Sequence, residues 1–209
     1  MPTVPMTTFV DYLIKAGPPK MTVVSKAKRD AQTPYQPAFD FWKQLRDEIV
    51  DVHSANKTLA SLNSLTKRLT DAKKITAYPA VIAGYKKWIG RKAPSWFTPP
   101  SSTRRRISRL DIRVNAELGL EFAPTRKSPV QRHVIKLYFK SDAPNKALVA
   151  SVLTVLDLGL RSKLDATTEI GLLDVRRSKL FLFSAVTTNY VPLVTAEAAS
   201  FLSLWNLLP

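Results

Sequence analysis

One segment of the chain alternates between apolar and polar residues more strictly than any other. From Leu110 to Phe122 every second residue is apolar, and charged or small residues fill most positions between. A period of two is that of a β-strand with one buried face, so the chain must contain a sheet. We expect either one long strand over 109–122 or two strands joined by a bulge or turn near 115–119.

More strands and a buried helix are predicted after this segment. The sequence of 133–140 predicts the partner strand of a first hairpin, and 169–173 with 179–184 predicts a second hairpin. Between the hairpins, the apolar residues of 148–156 predict a largely buried helix that Gly159 would end.

The residues before the alternating segment have helical periodicity. Apolar residues at spacings of three and four indicate an amphipathic helix over 38–52. Leucines spaced by three and four over 59–72 predict a second helix, and a third would begin near Tyr78-Pro79 and end at Gly90. We therefore predict an α+β fold. It would have an N-terminal unit of about three helices, an antiparallel sheet in hairpin–helix–hairpin order, and a short C-terminal helix.

Proline and serine content predicts four regions along the chain. Residues 1–37 would form an extended, basic and proline-rich arm, with Gly17-Pro18-Pro19 ending a short first helix. Residues 38–92 would form the helical basic unit, 93–103 a linker, and 104–209 the α+β domain.

Charge is the main clue to function. The chain has 32 Lys and Arg against 16 Asp and Glu, which gives a formal charge of +16. Residues 66–92 hold eight basic side chains and one acid, and 104–113 hold five arginines and one acid. Such densities attract polyanions, most often nucleic acid. A solvated basic face or an anionic membrane surface are the alternatives.

The predicted function is non-enzymatic binding of DNA or RNA through a continuous basic surface. The candidate contacts are Lys73, Lys74, Lys86, Lys87, Arg91, Lys92, Trp96, Arg104, Arg105, Arg106, Arg109 and Arg113. Trp96 would either stack on an unpaired base or pin the linker to the core. Neutralising six to eight phosphates of a duplex would give a slope of log K against log salt of roughly −5 to −7.

A search for catalytic patterns returns only one alternative. There is no cysteine, the histidines His53 and His133 are not at metal-ligand spacing, and no phosphate-loop or nucleophile-elbow motif occurs. We therefore predict no catalytic residue, no metal and no cofactor. The alternative is a Mg²⁺-dependent nuclease, although no E-x-K motif occurs. Its candidate residues are Glu117, Glu121, Lys136, Asp174 and Lys179. These acids would otherwise pair with basic neighbours across the sheet.

The last part of the chain supports a second alternative, an assembly subunit of a nucleoprotein complex. Residues 186–209 carry a single charge, Glu197. Thr195 would cap the final helix, whose apolar side would be Phe201, Leu204, Trp205 and Leu208. This segment would close the protein's own core, bind a protein partner or mediate self-association. With no signal peptide and no membrane span predicted, we expect a cytoplasmic protein without a membrane partner.

Overall fold

The computed structural model describes residues 1–33, 40–124 and 130–209. The helices within these ranges are α1 (Met6–Leu13), α2 (Pro18–Gln32), α3 (Lys43–Ser54), α4 (Ser61–Lys67), α5 (Ala72–Ile89), α6 (Lys146–Leu160) and α7 (Val191–Leu207). The strands are β1 (Thr3–Pro5), β2 (Ser95–Trp96), β3 (Thr103–Ile107), β4 (Leu110–Val114), β5 (Leu118–Phe122), β6 (Gln131–Tyr138), β7 (Glu169–Asp174) and β8 (Lys179–Leu182). The α+β prediction is confirmed: apart from β1, the strands follow the N-terminal helices, and a helix closes the chain.

The strands form two sheets, and both are mixed. The first sheet has the order β1-β4-β3, and the second has the order β2-β5-β6-β7-β8. The prediction of an antiparallel sheet is wrong at two places, because β1 lies parallel to β4 and β6 lies parallel to β7. Parallel neighbours need a long crossover, and α6 provides it between β6 and β7. Both predicted hairpins are present as the antiparallel pairs β5–β6 and β7–β8.

The alternating segment is divided between the two sheets. β4 belongs to the first sheet and β5 to the second, with the change at 115–117. The expectation of two strands is thus confirmed, and that of one long strand is wrong. Both strands bury one face, so the period of two continues across the change.

Two hydrophobic cores lie on opposite faces of the second sheet. On one face Val134, Ile170 and Leu172 pack with α6, α7, the first two helices and the first sheet. On the other face Leu120 and Leu137 pack with α3, α4 and α5. The order of layers is therefore first sheet, α6, second sheet, and the α3–α5 helices.

The prediction of an extended arm over 1–37 is wrong for most of its length. Residues 6–13 and 18–32 are helical, and 34–37 lie outside the described residues. Gly17 does separate two elements, with φ at 60°, but Pro18 and Pro19 begin a helix instead of stopping one. Val24 and Ala27 of α2 are buried in the first core, so tertiary packing stabilises this polar helix.

Several predicted element ends also differ from those observed. α5 begins at Ala72 because Asp71 accepts hydrogen bonds from the amides of Lys73 and Lys74, and the helix continues through Pro79. α6 runs one residue past Gly159. A Cβ on Gly159 would lie 2.7 Å from Val114 Cβ, so this glycine allows close packing between α6 and β4.

The start of α3 and the start of α7 are displaced from the predicted positions. α3 begins at Lys43, and Ala38, the predicted first apolar residue, lies outside the described residues. α7 begins at Val191, four residues before Thr195, with Pro192 in its first turn. Among the described residues, no helix combines the length and apolar character needed to cross a membrane.

The predicted linker is ordered at both of its ends. Ser95 and Trp96 pair with Glu121 and Leu120 of β5, and Thr103 begins β3. Phe97 donates its amide to the carbonyl of Gly119 at 3.0 Å. The segment therefore connects the helical layer to the sheets through strand pairing, and 93–94 and 97–102 remain without helix or strand.

Candidate nucleic-acid interface

Five of the candidate arginines lie on one tight hairpin. Strands β3 and β4 form five antiparallel residue pairs from Thr103–Val114 to Ile107–Leu110. We call residues 103–114 the arginine hairpin. Arg104, Arg105, Arg106, Arg109 and Arg113 are all exposed on it. The apolar residues Ile107, Leu110, Ile112 and Val114 fix it to the first core.

The hairpin turn has an unfavourable backbone conformation. Only Ser108 and Arg109 connect the strands, and their φ angles are 45° and 68°. A two-residue turn with positive φ at both positions normally contains Asn and Gly. Non-glycine residues in this region each cost on the order of 1 kcal/mol or more. The strain is sustained by the strand pairing and the buried face, and it holds Arg109 at the hairpin tip.

Pairs of side chains across the hairpin differ sharply in charge balance. Arg106 lies opposite Asp111 and donates to its carboxylate through Nε at 2.8 Å and through Nη2 at 3.2 Å. This hydrogen bond is the main cause of a lowered Asp111 pKa. The next pair on the same face of the hairpin, two residues along each strand, is Arg104 opposite Arg113. Directly opposed like charges destabilise an antiparallel pair.

Four of the hairpin arginines lack an ion pair within the described residues. Within the ranges that the structure describes, Arg104, Arg105, Arg109 and Arg113 form no ion pair, whereas Arg106 does. Arg105 belongs by register to the face of Ile112, but it is exposed because β3 is the edge strand. The hairpin thus presents several guanidinium groups that are free to bind an anion.

The candidate lysines of α5 lie at both ends of that helix. Lys73 and Lys74 are in the first turn, and Lys74 Nζ donates to Gln44 Oε1 at 3.1 Å. Lys86 and Lys87 are in the last turn, where the helix dipole favours cations. Lys86 Nζ donates to Asn63 Oδ1 at 2.6 Å. These contacts give part of the basic cluster a structural role.

The remaining candidates follow α5. Arg91 and Lys92 are exposed, and Lys92 Nζ donates to the Trp88 carbonyl at 2.9 Å while it lies over the Trp88 ring. Trp96 is half-buried on β2 and packs against the second core. Its ring therefore fixes the predicted linker, 93–103, to the second core. A contact between Trp96 and bases stays a prediction.

The structure places the two basic groups in different layers. α5 contributes to the core beneath the second sheet, and the arginine hairpin contributes to the core on the sheet's other face. The five hairpin arginines are brought together, and so are the helical lysines at each end of α5. One surface that contains both groups stays a prediction.

Most residues considered for a nuclease site form ion pairs, hydrogen bonds or ring contacts within the protein. Glu121 lies opposite Arg132 and is 3.3 Å from its Nε. Asp174 accepts from the amide and guanidinium of Arg177 and so stabilises the β7–β8 turn. Lys179 Nζ lies over the Phe181 ring. Within the described parts of the chain, no group of three or more His, Asp or Glu residues could hold a metal ion.

Glu117 and Lys136 form a buried pair where the chain changes sheets. Lys136 Nζ donates to Glu117 Oε1 at 2.6 Å and to Asn115 Oδ1 at 3.2 Å. Glu117 Oε2 accepts from the amide of Leu137 at 2.8 Å. β5 begins one residue after Glu117, so this carboxylate replaces the strand partner that Leu137 would otherwise have.

Two features of the basic surface were missed by the sequence reasoning. Ser178 Oγ donates to the carbonyl of Gly84 at 2.8 Å, which docks the basic β7–β8 turn against α5. A Cβ on Gly84 would lie 2.1 Å from the carbonyl oxygen of Val175, so only glycine allows this approach. Arg46 of α3 is the second feature, because it lies with Arg113 in the wall of one cleft. The Gly84 contact could have been suspected from a glycine inside a helix. Nothing in the sequence marks Arg46.

In comparisons with known proteins, the chain matches no family model and no curated protein.

Proposed function

We propose that this protein binds nucleic acid, without catalysis, and that the arginine hairpin makes the principal phosphate contacts. The observation that carries the proposal is the Arg104–Arg113 pair, two like charges at opposed strand positions that form no ion pair within the described residues. A phosphate between the two guanidinium groups would convert this repulsion into two charge-assisted hydrogen bonds.

Protection of a sheet edge is the main competing explanation for such a hairpin. Charged side chains on an edge strand prevent pairing with other chains, and this reason suffices for Arg105 on β3. It does not explain Arg113, because β4 is the central strand of its sheet. It also does not explain why a strained turn carries Arg109. Anion binding accounts for all three positions.

The helical lysines would add contacts of lower importance. Lys73 and Lys87 are exposed at opposite ends of α5 and form no ion pair within the described residues. They raise the local positive potential and so increase the rate of encounter with a polyanion. Lys74, Lys86 and Lys92 already donate to protein acceptors.

Neither alternative function has comparable support. The candidate nuclease acids Glu117, Glu121 and Asp174 each accept or pair with a protein cation. The apolar side of α7 packs into the first core through Val194, Ala198 and Phe201. Both sets of residues thus have a demonstrated structural role.

The proposal is tested by comparing two variants that lose the same charge. In the hairpin variant Arg104, Arg105 and Arg109 become Gln, and in the control variant Lys15, Lys146 and Lys163 become Gln. All six side chains are exposed and form no ion pair in the described part of the chain. Affinity for a labelled duplex is measured by fluorescence anisotropy at low salt.

We expect the hairpin variant to bind at least about tenfold more weakly than the control variant. Equal affinities for the two variants would show that binding follows net charge alone. Absence of binding by the wild-type protein to DNA and RNA would refute the proposed function.

A further inference from the structure

A large cleft opens beside the arginine hairpin. Its volume is about 1080 Å³, and its walls come from β1, α1, α2, the start of α3, β4 and β6. Pockets for small organic ligands usually measure about 300–1,000 Å³. The cleft is therefore large enough for a nucleotide, and far larger than one phosphate needs.

Arg113 connects the cleft to the hairpin. Arg113 lines the cleft, and its strand position places it opposite Arg104. An anion held between these two arginines would lie at the cleft entrance. The attached sugar and base would then have the cleft as the adjoining space.

Most basic side chains of the cleft are paired with acids. Five basic side chains line it, and four of them have a carboxylate partner within the described residues. The pairs are Lys26–Asp30, Arg46–Asp40, Lys136–Glu117 and Lys140–Asp11. Arg113 is the fifth and has no such partner. Arg113 is therefore the lining basic side chain that is available to a phosphate group.

Lys136 offers a further hydrogen bond in the wall of the cleft. Its side chain is 9 % exposed, and two of the three ammonium donors are used by Glu117 and Asn115. A buried ammonium gains by filling its third donor, and base carbonyl oxygens and ring nitrogens are suitable acceptors. Both oxygens of the Glu117 carboxylate already accept hydrogen bonds.

We propose that the cleft holds an unpaired nucleotide of the bound strand, with its phosphate at Arg113 and its base near Lys136. The inference rests on the proposed function and gives it a substrate class, single-stranded DNA or RNA or a duplex with a single-stranded end. A base paired within a duplex cannot reach the cleft floor without leaving the stack.

The test compares a blunt duplex with the same duplex carrying a single-stranded overhang, in DNA and in RNA form. The main variant is Glu117→Gln/Lys136→Met, which removes both buried charges and leaves the net charge of the protein unchanged. Replacement of a whole buried ion pair is tolerated far better than removal of one partner. A second variant, Thr7→Trp, fills the cleft from an exposed position on α1, and Thr76→Trp on α5 is its control.

We expect the wild-type protein and Thr76→Trp to bind the overhang substrate at least about tenfold more tightly than the blunt duplex. Thr7→Trp and the double variant, if folded by circular dichroism, should bind the two substrates within about twofold, with blunt-duplex affinity retained.

Two results would overturn the inference and leave the proposed function intact. One is a wild-type protein that binds blunt and overhang substrates equally. The other is an overhang preference that persists in Thr7→Trp. Absence of binding to every substrate would instead refute the proposed function itself.

Discussion

Arg104 and Arg106 show how two identical residues on one strand differ in their effects. Both are exposed on the same face of β3, two residues apart. Arg106 faces Asp111 and binds it through two hydrogen bonds, whereas Arg104 faces Arg113. Arg106 therefore stabilises the folded hairpin, and Arg104 destabilises it. Sequence alone cannot separate them, because the difference depends on strand register, which a turn without Gly or Asn does not reveal.

The same substitution at these two positions should therefore have opposite effects on stability. Arg104→Thr relieves the repulsion with Arg113, and we expect the free energy of unfolding to rise by about 0.2–1 kcal/mol. Arg106→Thr leaves the Asp111 carboxylate without its partner and should lower it. Urea denaturation at neutral pH measures both. A loss of stability in Arg104→Thr equal to that in Arg106→Thr would show that the opposed arginines are not in repulsion.

The two histidines predict how stability depends on pH. Burial lowers the pKa of His133, whose Nδ1 finds no hydrogen-bond partner among the described residues. Burial likewise lowers the pKa of His53, which contacts the Tyr85 hydroxyl. The pKa of an unfolded histidine is about 6.5. Because the folded protein has lower histidine pKa values, the unfolded chain binds more protons as the pH falls through this value.

The free energy of unfolding should consequently fall as the pH is lowered from about 7.5 to about 5.5. Urea denaturation at several pH values measures this change. His133→Phe stays neutral throughout and should show a smaller fall than the wild-type protein. An identical fall in the variant would mean that His133 is not the responsible group.

At the scale of elements, the sequence predicts types better than partners. The alternation from Leu110 predicts β4 and β5, and the apolar run of 148–156 predicts α6. That β4 and β5 belong to different sheets could not be predicted, because a buried face has the same period in either sheet. Helix α2 could not be predicted either, because only Val24 and Ala27 are buried on it. Its helical conformation depends on tertiary packing.

The direction of β7 depends on the same kind of information. Its residues fit a strand in either direction, and the pattern of two hairpins separated by a helix suggested an antiparallel sheet. α6 packs between the two sheets and crosses over, so β7 returns parallel to β6. For the candidate site, the sequence predicts the residue types and the cluster at 104–113, but neither the opposed positions of Arg104 and Arg113 nor the cleft.

α7 provides a direct test of whether the apolar C-terminal segment belongs to the core. Phe201 is fully buried against Phe9 and Tyr12, whereas Leu207 on the same helix is 79 % exposed. Phe201→Ala should lower the free energy of unfolding by about 3–5 kcal/mol. Leu207→Ala should change it by less than about 0.5 kcal/mol. Truncation after Asn189 should prevent folding, as shown by loss of the circular dichroism signal and of a cooperative transition.

Equal effects of Phe201→Ala and Leu207→Ala would contradict this assignment. A truncated chain that stays folded but loses self-association would do so as well. Either result would return 186–209 to the role of a partner surface.

At the scale of the whole molecule, the basic groups behind the net charge of +16 have different structural roles. Some basic groups neutralise acids, as Arg132 does with Glu121 and Asp165. Others cap carbonyl groups, as Lys28 does at the C-terminal end of α7. The arginine hairpin differs from both, because most of its guanidinium groups have no acidic partner in the described ranges. We therefore propose that polyanion binding depends on this hairpin and not on the overall charge.

The most direct measurement is the salt dependence of duplex binding by the wild-type protein and by the hairpin variant that lacks Arg104, Arg105 and Arg109. Each phosphate contact contributes about −0.9 to the slope of log K against log salt, so loss of three contacts should make the slope less steep by about 2.7. The matched lysine variant should keep nearly the wild-type slope. A hairpin variant with the wild-type slope would contradict the account, because its arginines would then release no counterions.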